Sequence, residues 1–163
     1  MPSLEALISK AKDLARAGDA AGAMTAANEL ARQHPDEAGV FSLRAYLYER
    51  SHDYPKAIAE ASRAVAIDPL EPAFVFNRGR YYLCAGKYRS AADDFTRGLS
   101  LCDRLNDDYF RGAFHFLRAE AFVQLGRKNE ALADLSHVRD DMKLWTIRLR
   151  TKSDLLDECA RLS

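Results

Sequence analysis

The chain has 163 residues, with 24 Lys+Arg against 24 Asp+Glu and 48% apolar content, which suits one compact domain or a short array of repeats and excludes disordered or collagen-like chains. Zero formal net charge removes the global attraction that makes double-stranded nucleic acid or an anionic membrane a default partner. No stretch approaches the roughly 18 apolar residues of a membrane span, and Glu5, Lys10, Lys12 and Asp13 interrupt any signal-peptide core, so the expectation is a cytoplasmic protein with neither nucleic acid nor membrane as partner.

Alanine makes up about a sixth of the chain, in a background of Leu, Arg, Glu and Lys that favours helices. Gly18, Pro35, Pro55, Pro69, Pro72, Gly86 and Gly126 punctuate the apolar-periodic segments, so the pattern reads helix, turn, helix, repeated. Segments beginning at Leu4, Ala38, Pro72 and Gly112 align with one another. Their eighth position holds Ala11, Ala45, Gly79 and Ala119, and their twentieth holds Ala23, Ala57, Ala91 and Ala131. Small residues at both places let the two helices of a hairpin approach closely. One helical turn from the first small site stand Leu14, Tyr48, Tyr82 and Phe122, bulky enough to fill the gap between neighbours. The turn position carries Gly18, Gly86 and Gly126, where a left-handed backbone costs little, and His52 in the second copy.

Two stretches break the period. Between the third and fourth copies, Asn106 or Asp107 is expected to cap a helix that begins early and lengthens the next hairpin. After Trp145, Thr151 and Asp154 have the spacing of a capping box, followed by an apolar stripe of Leu155, Leu156, Cys159 and Leu162. That predicts a terminal helix over the open end of the last hairpin, with Asp154, Asp157, Glu158 and Arg161 outward.

With small residues at 8 and 20, an aromatic at 11 and a proline near 32, matched by Ala45, Ala57, Tyr48 and Pro69, the chain resembles the tetratricopeptide repeat family. The third copy adds Gly79, Tyr82, Gly86, Tyr88, Ala91 and Phe95 in register; the first lacks the aromatics, and the fourth has Lys143 in place of the proline. The resemblance implies an all-α, right-handed α-hairpin solenoid of four repeats at about 4–37, 38–71, 72–105 and 112–145, capped by a helix at about 151–162, forming a single domain. It also implies that the first helix of each hairpin lines a concave groove holding a peptide or helical segment of a partner protein. On that register the groove carries Lys12, Arg16, Ser42, Tyr46, Arg50, Phe76, Asn77, Arg80, Phe116 and Glu120. The alternative for Tyr46, Phe76 and Phe116 is simple packing between adjacent first helices. The carboxylate clamp of the family's chaperone adaptors is not matched: Asn77 is present, but the other clamp positions hold Ser42, Tyr46, Ala113 and Leu117.

A further regularity belongs to this chain. Position 7 holds Lys10, Arg44, Arg78 and Arg118, and position 23 holds Glu60, Asp94 and Asp134 in the last three copies. Both lie at one level of an antiparallel hairpin, which predicts partly buried Arg–carboxylate pairs.

Catalytic and metal-binding patterns are not apparent. Cys84, Cys102 and Cys159 show no C-x-x-C spacing, His34, His52, His115 and His137 have no His or Glu four residues along, and no phosphate loop or nucleophile elbow occurs. The expectation is a non-enzymatic interaction module, scaffold or adaptor without cofactor, as monomer or homodimer. A homodimeric chaperone joined through an end of the stack is the nearest alternative. A ligand-binding or enzymatic groove using Tyr46, Arg80, Tyr81 and Cys84 is a remote one.

Overall fold

The computed structural model describes residues 2–146 and 148–162, which form helical hairpins and one short β-hairpin. Two compact units follow one another along the chain, Met1–Pro69 and Leu70–Ser163.

The first unit contains α1 (Leu4–Arg16), α2 (Ala20–Gln33), α3 (Ala38–Arg50) and α4 (Tyr54–Ile67). Short polar side chains start three of these helices by accepting otherwise unpaired backbone N–H groups: Ser3 from Ala6 (3.2 Å), Asp19 from Gly22 (2.8 Å) and Asp53 from Lys56 (3.2 Å). Ala11, Ala23, Ala45 and Ala57 are all within 1% of full burial, so α1 packs on α2 and α3 on α4 at close range, with α2 and α1 also against α3. Ala15, Ala27, Leu30, Val40, Leu43 and Leu47 complete the core.

The second unit contains α5 (Pro72–Cys84), α6 (Tyr88–Leu105), α7 (Arg111–Gln124), α8 (Lys128–Leu135), strands β1 (Lys143–Trp145) and β2 (Leu149–Thr151), and α9 (Lys152–Arg161). Phe95, Phe114, Phe116, Leu117, Leu135 and Leu155 form the centre of its core. A Cβ on Gly79 would stand 2.5 Å from the Phe95 ring, so the third copy uses glycine where the others use alanine because a phenylalanine fills the remaining space.

The same turn recurs in every hairpin. The residue after the turn position donates its N–H to the carbonyl of the bulky residue at position 11, from Asp19 to Leu14, Asp53 to Tyr48, Lys87 to Tyr82 and Arg127 to Phe122, at 2.8–2.9 Å. This closure needs a left-handed residue in between. Gly18, Gly86 and Gly126 supply it with φ of 95°, 72° and 71°, and His52 adopts φ 58°. The second copy therefore departs in chemistry but not in conformation. His52, itself exposed, retains a 3.1 Å contact from Nδ1 to the hydroxyl of half-buried Tyr54. Because a left-handed non-glycine residue costs about 1–2 kcal/mol, His52→Gly is expected to raise unfolding free energy by about 0.5–1 kcal/mol after the loss of that contact and the greater unfolded-state freedom of glycine. Urea denaturation measures it, and a loss of stability would refute the assignment.

Two expectations are corrected. The extra residues after the third copy lengthen α6 to 18 residues rather than starting α7 early. Asn106, at φ 52°, ends α6 as a left-handed cap, a conformation asparagine tolerates because its short amide bonds locally. In the fourth copy α8 stops at Leu135, and Lys143–Trp145 pairs antiparallel with Leu149–Thr151, Leu144 opposite Arg150 and Trp145 opposite Leu149. The terminal helix does form, opened by the Thr151–Asp154 capping box and held by buried Leu155 and Cys159, but Glu158 is not simply outward. It binds Arg148 and Arg150 at 3.1 and 2.8 Å.

Candidate functional site

The leading helices α1 and α3 pack side by side in the first unit, as do α5 and α7 in the second. In the first unit Lys12, Ser42 and Tyr46 are half-buried, while Arg16 and Arg50 are exposed. Arg16 pairs with Asp13 at 2.9 Å, and the Arg50 guanidinium lies 5.9 Å from the centre of the Tyr46 ring. This surface offers one aromatic and three cations at equivalent positions of two packed helices.

The second unit treats its share of the predicted residues differently. Phe76, Asn77 and Arg80 are half-buried on α5, and the Phe76 ring packs tilted against Phe110, centres 5.2 Å apart, and edge-to-face with Phe114 at 5.8 Å. Phe116 is fully buried in the core and Glu120 is 7% exposed, so neither stands open on a surface. For Phe116, and in part for Phe76, packing between neighbouring helices accounts for the aromatic.

Glu120 is covered by the β-hairpin. Its Oε1 accepts from the Thr146 hydroxyl at 3.3 Å and lies 3.9 Å from Arg150 Nη1, while its Oε2 and the Arg150 Nε are buried without a hydrogen-bond partner. Burial pushes the Glu120 carboxyl above its ordinary range, an effect that Arg150 and Thr146 offset only in part. Beside it opens a cavity of about 280 Å³ lined by Leu83 and Tyr88 from α5 and α6, Glu120 and Gln124 from α7, and Thr146, Arg148 and Arg150 of the hairpin. Sequence reasoning missed Tyr88 and the three hairpin residues. The only trace of them is the alternation of Arg148, Leu149 and Arg150, and it misleads: Arg150 is buried while Leu149 and Trp145 are 48% and 67% exposed.

The predicted ion pairs all form, each within one hairpin. Arg44 reaches Glu60 at 3.2 Å, and Arg78 grips both oxygens of Asp94 at 2.8 and 2.6 Å. Arg118 does the same to Asp134 at 2.8 and 2.7 Å and also reaches the Thr96 hydroxyl at 3.0 Å. His115 adds a third bond to Asp134 at 2.8 Å and stacks on His137, ring centres 4.6 Å apart. Burial alone would raise the Asp134 pKa, but the Arg118 and His115 bonds overcome it and hold it below the ordinary value. Burial pushes the Cys102 and Cys159 thiols up, away from reactivity. Among the described residues no cluster of three or more His, Cys, Asp or Glu side chains has metal-site geometry, and no helix is long and apolar enough to cross a membrane.

Residues 8–72 match the family model described as tetratricopeptide repeat. Among solved structures, the chain is similar to MamA at 14% identity with a TM-score of 0.71, over 96% of this chain and 80% of that one. It is similar to the tetratricopeptide-repeat protein TTC0263 of Thermus thermophilus at 19% identity and a TM-score of 0.66, over 96% and 79%. The TPR2B domain of yeast Sti1, solved as a complex with pHsp70, matches at 20% identity and a TM-score of 0.66, over 72% of this chain and 98% of that domain. At these identities the likeness carries the fold.

Proposed function

Since residues 8–72 match the tetratricopeptide repeat model and the solved structures share the fold, we propose that this chain is a protein-interaction module that holds a segment of a partner protein on the leading faces of its hairpins. The observation that carries the reading is the placement of Lys12, Arg16, Ser42, Tyr46 and Arg50 at equivalent positions of the packed helices α1 and α3. A half-buried ring with the Arg50 guanidinium beside it suits an extended or helical segment with an apolar anchor and acidic neighbours. Phe76, Asn77 and Arg80 on α5 offer a second such face. The TPR2B domain of yeast Sti1, solved as a complex with pHsp70, supports a protein partner.

Affinity capture with the full chain, repeated with Tyr46→Ala plus Phe76→Ala, is the test. Truncating an interface aromatic commonly weakens binding by about 2 kcal/mol or more. The expected result is therefore loss of at least one captured protein from the double variant while its helical circular-dichroism signal persists. An unchanged set of captured proteins would overturn the reading.

A further inference from the structure

Every cation at the cavity beside Glu120 comes from the hairpin, and every carboxylate comes from a helix. Arg148 and Arg150 lie in or beside β2, whereas Glu120 is on α7; Glu158 of α9, outside the cavity lining, binds both arginines from behind. Without the hairpin, α7 would present Glu120 beside Leu83, Tyr88 and Gln124, with Glu158 freed of both arginines, a surface that selects a positive side chain. Arg150 fills this place imperfectly. It bonds Glu158 at 2.8 Å but stays 3.9 Å from Glu120, leaving Glu120 Oε2 and its own Nε buried and unmatched. The hairpin is also lightly attached, since its strands have three residues each and Trp145 and Leu149 point to solvent. A two-stranded ribbon of that length is marginal by itself.

We propose that Glu120 anchors an arginine or lysine side chain of the partner segment, and that Arg150 of the chain's own hairpin occupies that place until the partner displaces it. This rests on the reading of the leading helices as the binding face, and it names the partner chemistry for the second unit: a basic segment, complementary to the acids there, in contrast to the cationic face of α1 and α3. The raised pKa of Glu120 is consistent with a carboxylate still short of compensation.

The test is fluorescence anisotropy of a fluorescein-labelled peptide copying residues 143–151, titrated with the full chain. Arg150→Ala is expected to bind the peptide at least tenfold more tightly than the unaltered chain, because its own hairpin no longer competes. Adding Glu120→Gln should erase the gain, as should alanine in place of the peptide's arginine that copies Arg150. Equal affinities for the unaltered chain and Arg150→Ala, a gain that survives Glu120→Gln, or no binding to any form would each overturn the proposal. If Arg150→Ala loses its helical signal, Arg150→Met, which keeps the aliphatic packing and removes the guanidinium, carries the same comparison. A failed titration together with capture that still depends on Tyr46 and Phe76 would leave the interaction module standing and end only the role of Glu120.

Discussion

Arg118→Met and Arg78→Met are each expected to lower unfolding free energy by about 3 kcal/mol, the usual loss when a buried ion pair is broken by removing one partner. Each change strips two short bonds from a carboxylate whose side chain is only 4% or 7% exposed, Asp134 and Asp94. Asp134 would retain the His115 bond but lose its guanidinium, and a buried carboxylate short of compensation is far costlier than a solvated one. Arg44→Met should lose only about half as much, because its pair is a single 3.2 Å approach of Nη1 to Glu60 Oε2 without hydrogen-bond geometry, and Arg44 Nε is buried without a hydrogen-bond partner. Urea denaturation followed by circular dichroism reads all three. Equal losses, or losses under about 1 kcal/mol in the two doubly bonded copies, would mark these pairs as ordinary surface charges.

The pH dependence follows from the same geometry. The folded pKa of Asp134 lies below its ordinary value of 3.8, so its contribution is complete above that value and is lost as pH falls through the lower folded one. Arg118→Met removes most of what can be lost. Its unfolding free energy should therefore decline less steeply in acid than that of the unaltered chain.

Gly98→Ala should be nearly as damaging, for a steric reason. The new Cβ on α6 would sit 2.2–2.7 Å from three atoms of the Phe114 ring, closer than nonbonded carbons approach. That ring is fully buried and wedged against Phe76, Phe95 and Phe110 at centre distances of 5.8–6.3 Å, so it cannot swing aside. Alanine's better helix propensity, about 1 kcal/mol, is outweighed by an overpacking cost of about 3 kcal/mol, for a net loss of about 2 kcal/mol. Adding Phe114→Leu to Gly98→Ala should recover part of it, since the smaller side chain vacates the contact. If Gly98→Ala alone matched or exceeded the parent in thermal denaturation, the interface between α6 and α7 would be looser than these distances imply.

Gly98 illustrates what reading the repeats leaves out. The small residues at positions 8 and 20 recur in phase and were legible as helix contacts, whereas Gly98 occurs once, and only its encounter with Phe114 on the next helix reveals its role. The candidate site divides in the same way. Tyr46 and Arg50 lie half-buried and exposed, respectively, consistent with the leading face that repeat register predicted. Glu120 holds the register of Tyr46 in the fourth copy and is nevertheless buried, because a segment 26 residues further along folds back over it, while Phe116, in the register of Ser42, is buried in the core between helices.

What the sequence determined by itself is therefore whatever repeats: the helix pairs, their left-handed turns, the Arg–carboxylate pairs and the capped final helix. Each rests on residues close along the chain or at matching levels of one hairpin, so spacing alone carries the physics. Only the tertiary structure decided where α6 ends and α8 stops, and that the hairpin turns Arg150 inward and Leu149 outward. There, long-range contact with Glu120 and Glu158 sets which face of the strand is buried, and the electrostatics of two distant carboxylates override the local preference to bury the leucine.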